Sequence, residues 1–356
     1  MQKYCVVEKR LLEHHAGAKA RSDVADILMS EGWKPVCVHQ IQKRENVGYL
    51  ERIKMCFYVE QDWRKISKTI EKDACLLIQY PLDMYPKVAM LSLKYIEKMK
   101  NRGVKIGILI HDLESLRNDD PKEKEWYQQA ERRFLDTADF IIAHNQKMIK
   151  YLNSVNLKAP KYSLELFDYL LDEAVLAHAE TSEDTATVAV AGNLSEQKAG
   201  YIYQSKDLDF SFALYGPYAE KELLGKNMEY YGSFPPEELP GKLKAKFGLV
   251  WDGKSPDECE GGFGKYMRYN NPHKTSLYLA SNLPVIVWKD AAVAAFVEKH
   301  NVGFGVQSLS EIPEKIEKLT EESYHLMKEN AKNTGKALRQ GEMLKRVLKT
   351  IKEIQE

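Results

Sequence analysis

FGLVW (Phe247–Trp251) and LPVIVW (Leu283–Trp288) bracket NNPHKTSLYLASN (Asn270–Asn282), and the fold turns on how this stretch is read. The two apolar runs are short, β-branched or aromatic, and flanked by Gly and Pro, which predicts buried parallel strands rather than helices. Pro272 stands where a helix can begin, so His273 and Lys274 fall in its first turn, with Thr275 and Ser276 adding hydroxyls beside the same amides. A helix N-terminus offers free amides and a positive dipole end, and a lysine placed there adds a full charge. Cations are mildly disfavoured in a first turn, so a bound phosphate explains Lys274 better than solvation does. Nucleotide or nucleotide-sugar binding is the first expectation.

Outward from that stretch, strand-then-glycine units recur. Thr187–Ala191 runs into Gly192, Phe212–Tyr215 into Gly216, and Met228–Tyr231 into Gly232, with a weaker strand at Gly303–Val306. Ligands of open parallel sheets bind at the carboxyl ends of strands, where glycine lets backbone come close. Gly192, Asn193, Tyr215, Gly216 and Pro217 are therefore candidate donor contacts, each of which could equally be an ordinary strand-to-turn transition. The first half alternates in the same way: strands at Tyr4–Val7, Pro35–Val38, Cys75–Ile78, Val104–Ile110 and Phe140–Ala143, with helices at about 19–29, 87–101, 122–137 and 146–153. From about 153 to 184 the pattern loosens into a connector, and from about 320 to 355 it is helical. The expected fold class is α/β, two Rossmann-like domains facing across a cleft, with boundaries at 1–165 and 166–334 and a C-terminal helix of about 335–356 packing back on the first domain.

Composition narrows the ligand. Lys+Arg and Asp+Glu are both 52 in 356 residues, so nothing supports a general nucleic-acid or polyanion partner, and any anion site is local. Cys5, Cys37, Cys56, Cys75 and Cys259 are scattered without CxxC or zinc spacing, which fits reduced thiols in a cytoplasmic compartment. No apolar run reaches the roughly 18 residues of a membrane-spanning helix, and no leader pattern opens the sequence. GxGxxG is absent, which weakens dinucleotides. Asp207-Leu208-Asp209 matches the DxD string of metal-dependent transferases but precedes a strand instead of following one, so no metal is expected.

In the N-terminal half, Gly17 follows the first strand and precedes the first helix, where a glycine loop meets a phosphate or sugar. His111 and Asp112 close the most apolar strand of that half. Either could remove an acceptor proton, Asp112 could instead cap the next segment, and the His14/His15 pair is a third option. Between Lys34 and Lys72 there are nine Lys/Arg against five Asp/Glu, interleaved with Ile53, Met55, Phe57, Tyr58 and Trp63. Such a mix suits a bilayer headgroup zone, although a solvated helix face is the commoner explanation.

GNL at Gly192, YGP at Tyr215, YGSFPPEELP ending at Pro240, FGLVWDG from Phe247, NNPHK ending at Lys274 and LPVIV from Leu283 together resemble the C-terminal half of bacterial GT-B glycosyltransferases. HAGAKARSDV from His15 and IHDLESLR from Ile110 extend the likeness into the first half. The chain resembles the β-1,6-galactofuranosyltransferases of polysaccharide assembly and the streptococcal glucosyltransferases that extend GlcNAc on serine-rich adhesins. Across Glu51–Ile70 and Ser255–Tyr269 it carries no diagnostic match.

The resemblance implies a UDP-sugar donor held by the C-terminal domain, a glycan acceptor held by the N-terminal one, and inverting hexosyl transfer without cofactor or obligatory metal. It places uracil and ribose near the YGP turn and a base near the diphosphate, for which Lys198 is the candidate in GNLSEQKAG. A lipid-linked acceptor, peripheral contact at the inner membrane face and homo-oligomerisation stay open. The alternatives are a non-catalytic glycosyltransferase-like partner and a nucleotide-sugar epimerase or hydrolase on the same fold.

Overall fold

The computed structural model describes residues 1–9, 16–39, 48–82, 86–177 and 186–355. They form two compact units: residues 1–9, 24–39, 48–82, 86–164 and 347–355 make the first, and residues 16–23, 165–177 and 186–346 the second. Each is built on one fully parallel six-stranded sheet.

In the first unit the strands are β1 (Lys3–Lys9), β2 (Lys34–His39), β3 (Cys75–Tyr80), β4 (Lys105–Ile110), β5 (Phe140–Ala143) and β6 (Lys161–Ser163), in the order β2-β1-β3-β4-β5-β6. Ile106, Ile108, Leu109, Ile141 and Ile142 have no exposed surface, as expected of strands covered by helices on both faces. Several helices start on signals the sequence carries: Asp120 accepts from the Lys122 and Glu123 amides ahead of Pro121–Leu135, and Asn145 accepts from Met148 N ahead of Gln146–Ser154.

The second unit holds β7 (Ala186–Ala191), β8 (Phe212–Tyr215), β9 (Met228–Gly232), β10 (Ala245–Val250), β11 (Val285–Trp288) and β12 (Gly303–Val306), in the order β12-β11-β10-β7-β8-β9. Read from β9, this is the 3-2-1-4-5-6 order of the doubly wound nucleotide-binding fold, whose crevice opens where the order reverses, between β7 and β10. The opening motifs fall there: Phe247–Val250 is β10, Val285–Trp288 is β11, and His273–Ala280 is the helix between them, with Pro272 as its N-cap.

Three expectations need correction. Within the expected 153–184 connector, Lys161–Ser163 form edge strand β6 and residues 164–169 are largely buried, while residues 178–184 lie outside the described residues. The C-terminal segment is two helices, Glu321–Arg339 and Glu342–Gln355, broken at Gly341, whose φ of +75° is a left-handed conformation that favours glycine. The helix Ala16–Ser30 starts one residue before Gly17, so that glycine belongs to the helix's first turn and not to a loop preceding it.

Glu131, only 5% exposed, accepts from Ser115 N at 2.9 Å and bonds Ser115 Oγ at 2.5 Å. It thereby holds the segment that follows β4. Burial raises its pKa to about 7, ahead of the opposing hydrogen bonds from Ser115. A carboxyl whose folded pKa is raised favours folding below its unfolded pKa, and that contribution, up to about 3 kcal/mol, is lost as pH rises through about 7. Glu131→Gln keeps an acceptor and gains a donor without a charge. Denaturant melts should therefore show wild type losing stability relative to Glu131→Gln between pH 5 and pH 8, and a constant difference would refute the assignment.

Candidate functional site

The site is assembled at the carboxyl ends of β7, β8 and β10. Gly192 leaves β7 with φ +127° and Gly216 leaves β8 with φ +141°, both in the region where L side chains are strained. A Cβ on Gly216 would lie 1.8 Å from the Gly192 carbonyl oxygen, so the two backbones approach only because residue 216 is glycine. Gly192 N donates to Tyr215 O at 2.9 Å and Leu194 N to Pro217 O at 3.0 Å, which ties the two turns together.

Lys274 reaches into the same place. Its Nζ lies 2.7 Å from Asp252 Oδ1 and 3.1 Å from the Trp251 carbonyl just beyond β10, and a Cβ on Gly192 would sit 3.4 Å from its Cε. The Lys274 and Asp252 side chains are 13% and 12% exposed, which excludes an ordinary solvated lysine. The cation thus lies beside the topological switch point, with the first turn of its own helix around it.

The helix is fixed along its length. Gly248 leaves room for the Tyr278 ring, whose nearest atom would be 2.0 Å from an added Cβ, and Tyr278 OH accepts from Ala191 N at 2.8 Å. At the far end Arg339, itself 8% exposed, donates to Ala280 O at 2.8 Å, satisfying a carbonyl the helix leaves open, and to the Asn282 side-chain Oδ1 at 3.1 Å. At the near end His273 stacks on Tyr169 at 5.1 Å and 26°, with Phe167 edge-on. Burial lowers the His273 pKa to about 4, so the imidazole is neutral at physiological pH, and its Nε2 is a buried nitrogen without a hydrogen-bond partner. Thr275 and Ser276 are both buried, Thr275 Oγ1 also without a partner.

The other sequence candidates separate into groups. Asn193 is exposed, and its Oδ1 accepts from Ser195 N at 2.8 Å. Lys198 sits in the first turn of helix Glu196–Gln204, its carbonyl accepting from Gly253 N at 2.9 Å and its Nζ 4.9 Å from the Phe263 ring. Tyr215 is 1% exposed, stacked on Tyr231, with its hydroxyl accepting from Lys244 N, so at the turn Gly216 and Pro217 offer the backbone. Asp207 and Asp209 lie at the amino end of β8, opposite the edge that carries Gly216. The side-chain surroundings of Gly17, and His14 and His15 altogether, lie outside the described residues; residues 16–23 group with the second unit.

In the first unit, His111 and Asp112 follow β4. His111 Nε2 donates to Gln79 Oε1 at 2.7 Å, and the His111 carbonyl accepts from His144 Nε2 at 2.9 Å. Asp112 pairs with Arg117 Nη1 at 2.8 Å and keeps 36% of its side chain exposed. Gln79, His144 and Asp252 had escaped sequence reading. All three sit at or just beyond a strand's carboxyl end, a position that flags polar residues once strand ends are exact.

Comparison with known proteins gives a consistent answer. Residues 7–166 match the family model "Glucosyltransferase 3-like, N-terminal domain" and residues 188–351 the corresponding "C-terminal domain". The β-1,6-galactofuranosyltransferase WbbI of Escherichia coli is 37% identical over 243 residues, covering 68% of this chain and 70% of that protein. The chain belongs to the glucosyltransferase 3-like family. Glucosyltransferase 3 of Streptococcus gordonii is 36% identical over 107 residues, 30% of either chain. Among solved structures, sucrose-phosphate synthase of Thermosynechococcus elongatus superposes with a TM-score of 0.66 over 99% of this chain and 98% of that one at 12% identity. That likeness shows the GT-B fold. Within this glycosyltransferase family, the quoted motifs GNL, YGP, FGLVWDG and NNPHK carry the residues that build the Lys274 site.

The glycine contact gives a direct test. Gly216→Ala puts a methyl into the Gly192 carbonyl at a φ alanine resists, and should cost more than about 2 kcal/mol. Urea melts should show a lowered midpoint, whereas Gly232→Ala, where an added Cβ meets nothing within 4 Å, should show backbone strain alone and a smaller loss.

Proposed function

We propose that this family member transfers a hexosyl unit, glucosyl or galactofuranosyl, from a UDP-sugar to a hydroxyl of a glycan acceptor in polysaccharide or glycoprotein glycan synthesis. The observation that carries the reading is Lys274: a nearly buried cation at the β7/β10 switch point, beside two glycine turns that open backbone to a ligand. A sugar diphosphate supplies the anion such a place favours, and the leaving UDP gains charge as the bond between the donor sugar's anomeric carbon and the diphosphate oxygen breaks. Lys274 and the first-turn amides of its helix would offset that charge, so the reading requires neither metal nor cofactor. Gly216 and Pro217 would line the nucleoside side, with Gly192, Asn193, Lys198, Thr275 and Ser276 nearer the diphosphate.

For the acceptor proton the reading offers Asp112, whose carboxylate is part-exposed at the end of β4, ahead of His111, whose Nε2 is engaged by Gln79. Direct displacement with Asp112 as base inverts the anomeric centre. The donor is cytoplasmic on this reading, and a lipid-linked glycan presented at the inner membrane face is the acceptor it favours. The names of the two curated relatives, a galactofuranosyltransferase and a glucosyltransferase, support the choice of donor sugars.

Two substitutions separate charge from mere disruption of the ion pair. Lys274→Ala should abolish the stabilisation of the protein by UDP in thermal melts, and lower UDP affinity at least about 100-fold by calorimetry. Asp252→Asn breaks the same pair while leaving the cation, and should keep or tighten UDP binding. Equal losses in both variants would remove Lys274 as the phosphate ligand. Asp112→Asn should retain UDP binding and lose transfer when a panel of UDP-sugars, UDP-galactofuranose included, is offered with GlcNAc- and galactose-terminated acceptors; near-normal turnover would exclude it as base.

A further inference from the structure

The least diagnostic stretch of the sequence is one helix, Tyr49–Thr69, and its two faces differ sharply. Met55, Val59, Trp63 and Ile66 are buried against the first unit, and Asp62 on the same side accepts from His39 N at 2.7 Å and from His39 Nδ1 at 2.8 Å, fixing the helix to the end of β2. The opposite face is an unbroken stripe at i+3 and i+4 spacing: Leu50, Ile53, Phe57, Gln61, Arg64 and Lys68, all exposed. Its first half is apolar. Leu50 is 80% exposed, Phe57 63% and Ile53 50%, with Tyr49 alongside at 78%. Its second half is cationic.

Charge on this helix is one-sided where it meets solvent. Arg52, Lys54, Arg64, Lys65 and Lys68 are exposed against Glu51, a net of +4 from those six residues. Of the remaining acids, Glu60 is engaged by Lys94 and by Tyr95 OH at 2.6 Å, and Asp62 is held by His39. The whole chain is neutral, so this concentration is local. Single exposed apolar side chains are ordinary, but four on adjoining turns of one helix, flanked by cations, mark an interaction surface. A water-soluble protein partner would need matching acids around an apolar pocket. A bilayer with anionic headgroups offers both chemistries in one plane, with acyl chains for Leu50, Ile53 and Phe57 and phosphates for the lysines and arginines.

We propose that the exposed face of the Tyr49–Thr69 helix docks the protein on an anionic lipid surface, with Leu50, Ile53 and Phe57 inserted at the headgroup boundary and Arg64, Lys65 and Lys68 on the phosphates. The inference goes beyond the transfer reaction and does not require it, since it concerns the first unit's outer face and no sugar.

Sedimentation with vesicles tests it on the full chain. The protein should pellet with phosphatidylglycerol–phosphatidylcholine vesicles at low ionic strength, stay in the supernatant with pure phosphatidylcholine, and be released by salt. Arg64→Gln/Lys68→Gln should lower the partition coefficient about 25-fold, at about fivefold for each cation, and Leu50→Ser/Phe57→Ser should lower it at least tenfold. Both variants should melt like wild type and respond to UDP like wild type, so a failure here is distinguishable from a failure of the donor-site reading. Absence of binding to the anionic vesicles, or unchanged binding by both variants, overturns the proposal. So does a shift from oligomer to monomer in light scattering caused by Leu50→Ser/Phe57→Ser, which would make this face a contact between copies of the chain.

Discussion

A lysine head group that has left water must be given counter-charge, and Lys274 receives it from Asp252 at 2.7 Å and the Trp251 carbonyl at 3.1 Å. That requirement fixes more than one ion pair. It places the start of helix His273–Ala280 over the end of β10, next to the turn after β7, and the remaining contacts of the helix keep it there. Tyr278 lies in the space Gly248 leaves and takes the Ala191 amide, Arg339 closes the last turn, and Gly335 lets helix Glu321–Arg339 approach where a Cβ would be 2.0 Å from Leu279 O. Removing the ion pair's acid leaves a cation looking for an anion, which is the property a diphosphate site needs.

The segment Phe167-Asp168-Tyr169 supports the same helix from the other side. Phe167 and Tyr169 pack on His273, Tyr169 OH donates to Pro236 O at 2.6 Å, and the Asp168 carboxylate accepts from the Met343 and Leu344 amides at the start of the last helix. Lys19 from the first helix joins it, 2.5 Å from Asp23 and donating to Leu170 O at 2.7 Å, with its ammonium over the Tyr169 ring. Burial raises the Asp168 pKa to about 7, while it lowers that of His273 to about 4. The two groups act oppositely on stability: His273 favours the fold above its unfolded value, and Asp168 favours it below its own unfolded value, a contribution lost as pH rises through about 7. The second unit is therefore tied together by polar contacts in a stretch whose sequence has no period.

Periodicity made the strands legible. Apolar runs such as TVAVA (Thr187–Ala191) and FGLVW (Phe247–Trp251) are suited to strands covered on both faces, and the glycine after Ala191 marks where the chain turns. Gly192, Gly216 and Lys274 converge in the structure for that reason. The helix Tyr49–Thr69 was hidden because charged residues on its outer face and aromatic residues on both faces blur the 3.6-residue repeat, and its N-cap Gly48 makes no side-chain cap bond. Gln79 and His144 were hidden differently. Neither belongs to a motif, and each acquires meaning only because parallel pairing sets it beside His111.

The sequence by itself determined the α/β class, the strands of both sheets apart from the three-residue β6, the helix start at Pro272 and the family likeness, because these depend on local propensity and on patterns within one element. Tertiary structure alone decided the strand order that makes β7/β10 the switch point, the pairing of Lys274 with Asp252, the engagement of His111 by Gln79, and which face of Tyr49–Thr69 meets solvent. Each of these joins residues far apart in the chain, and such contacts are chosen by how elements pack together, which no local pattern encodes.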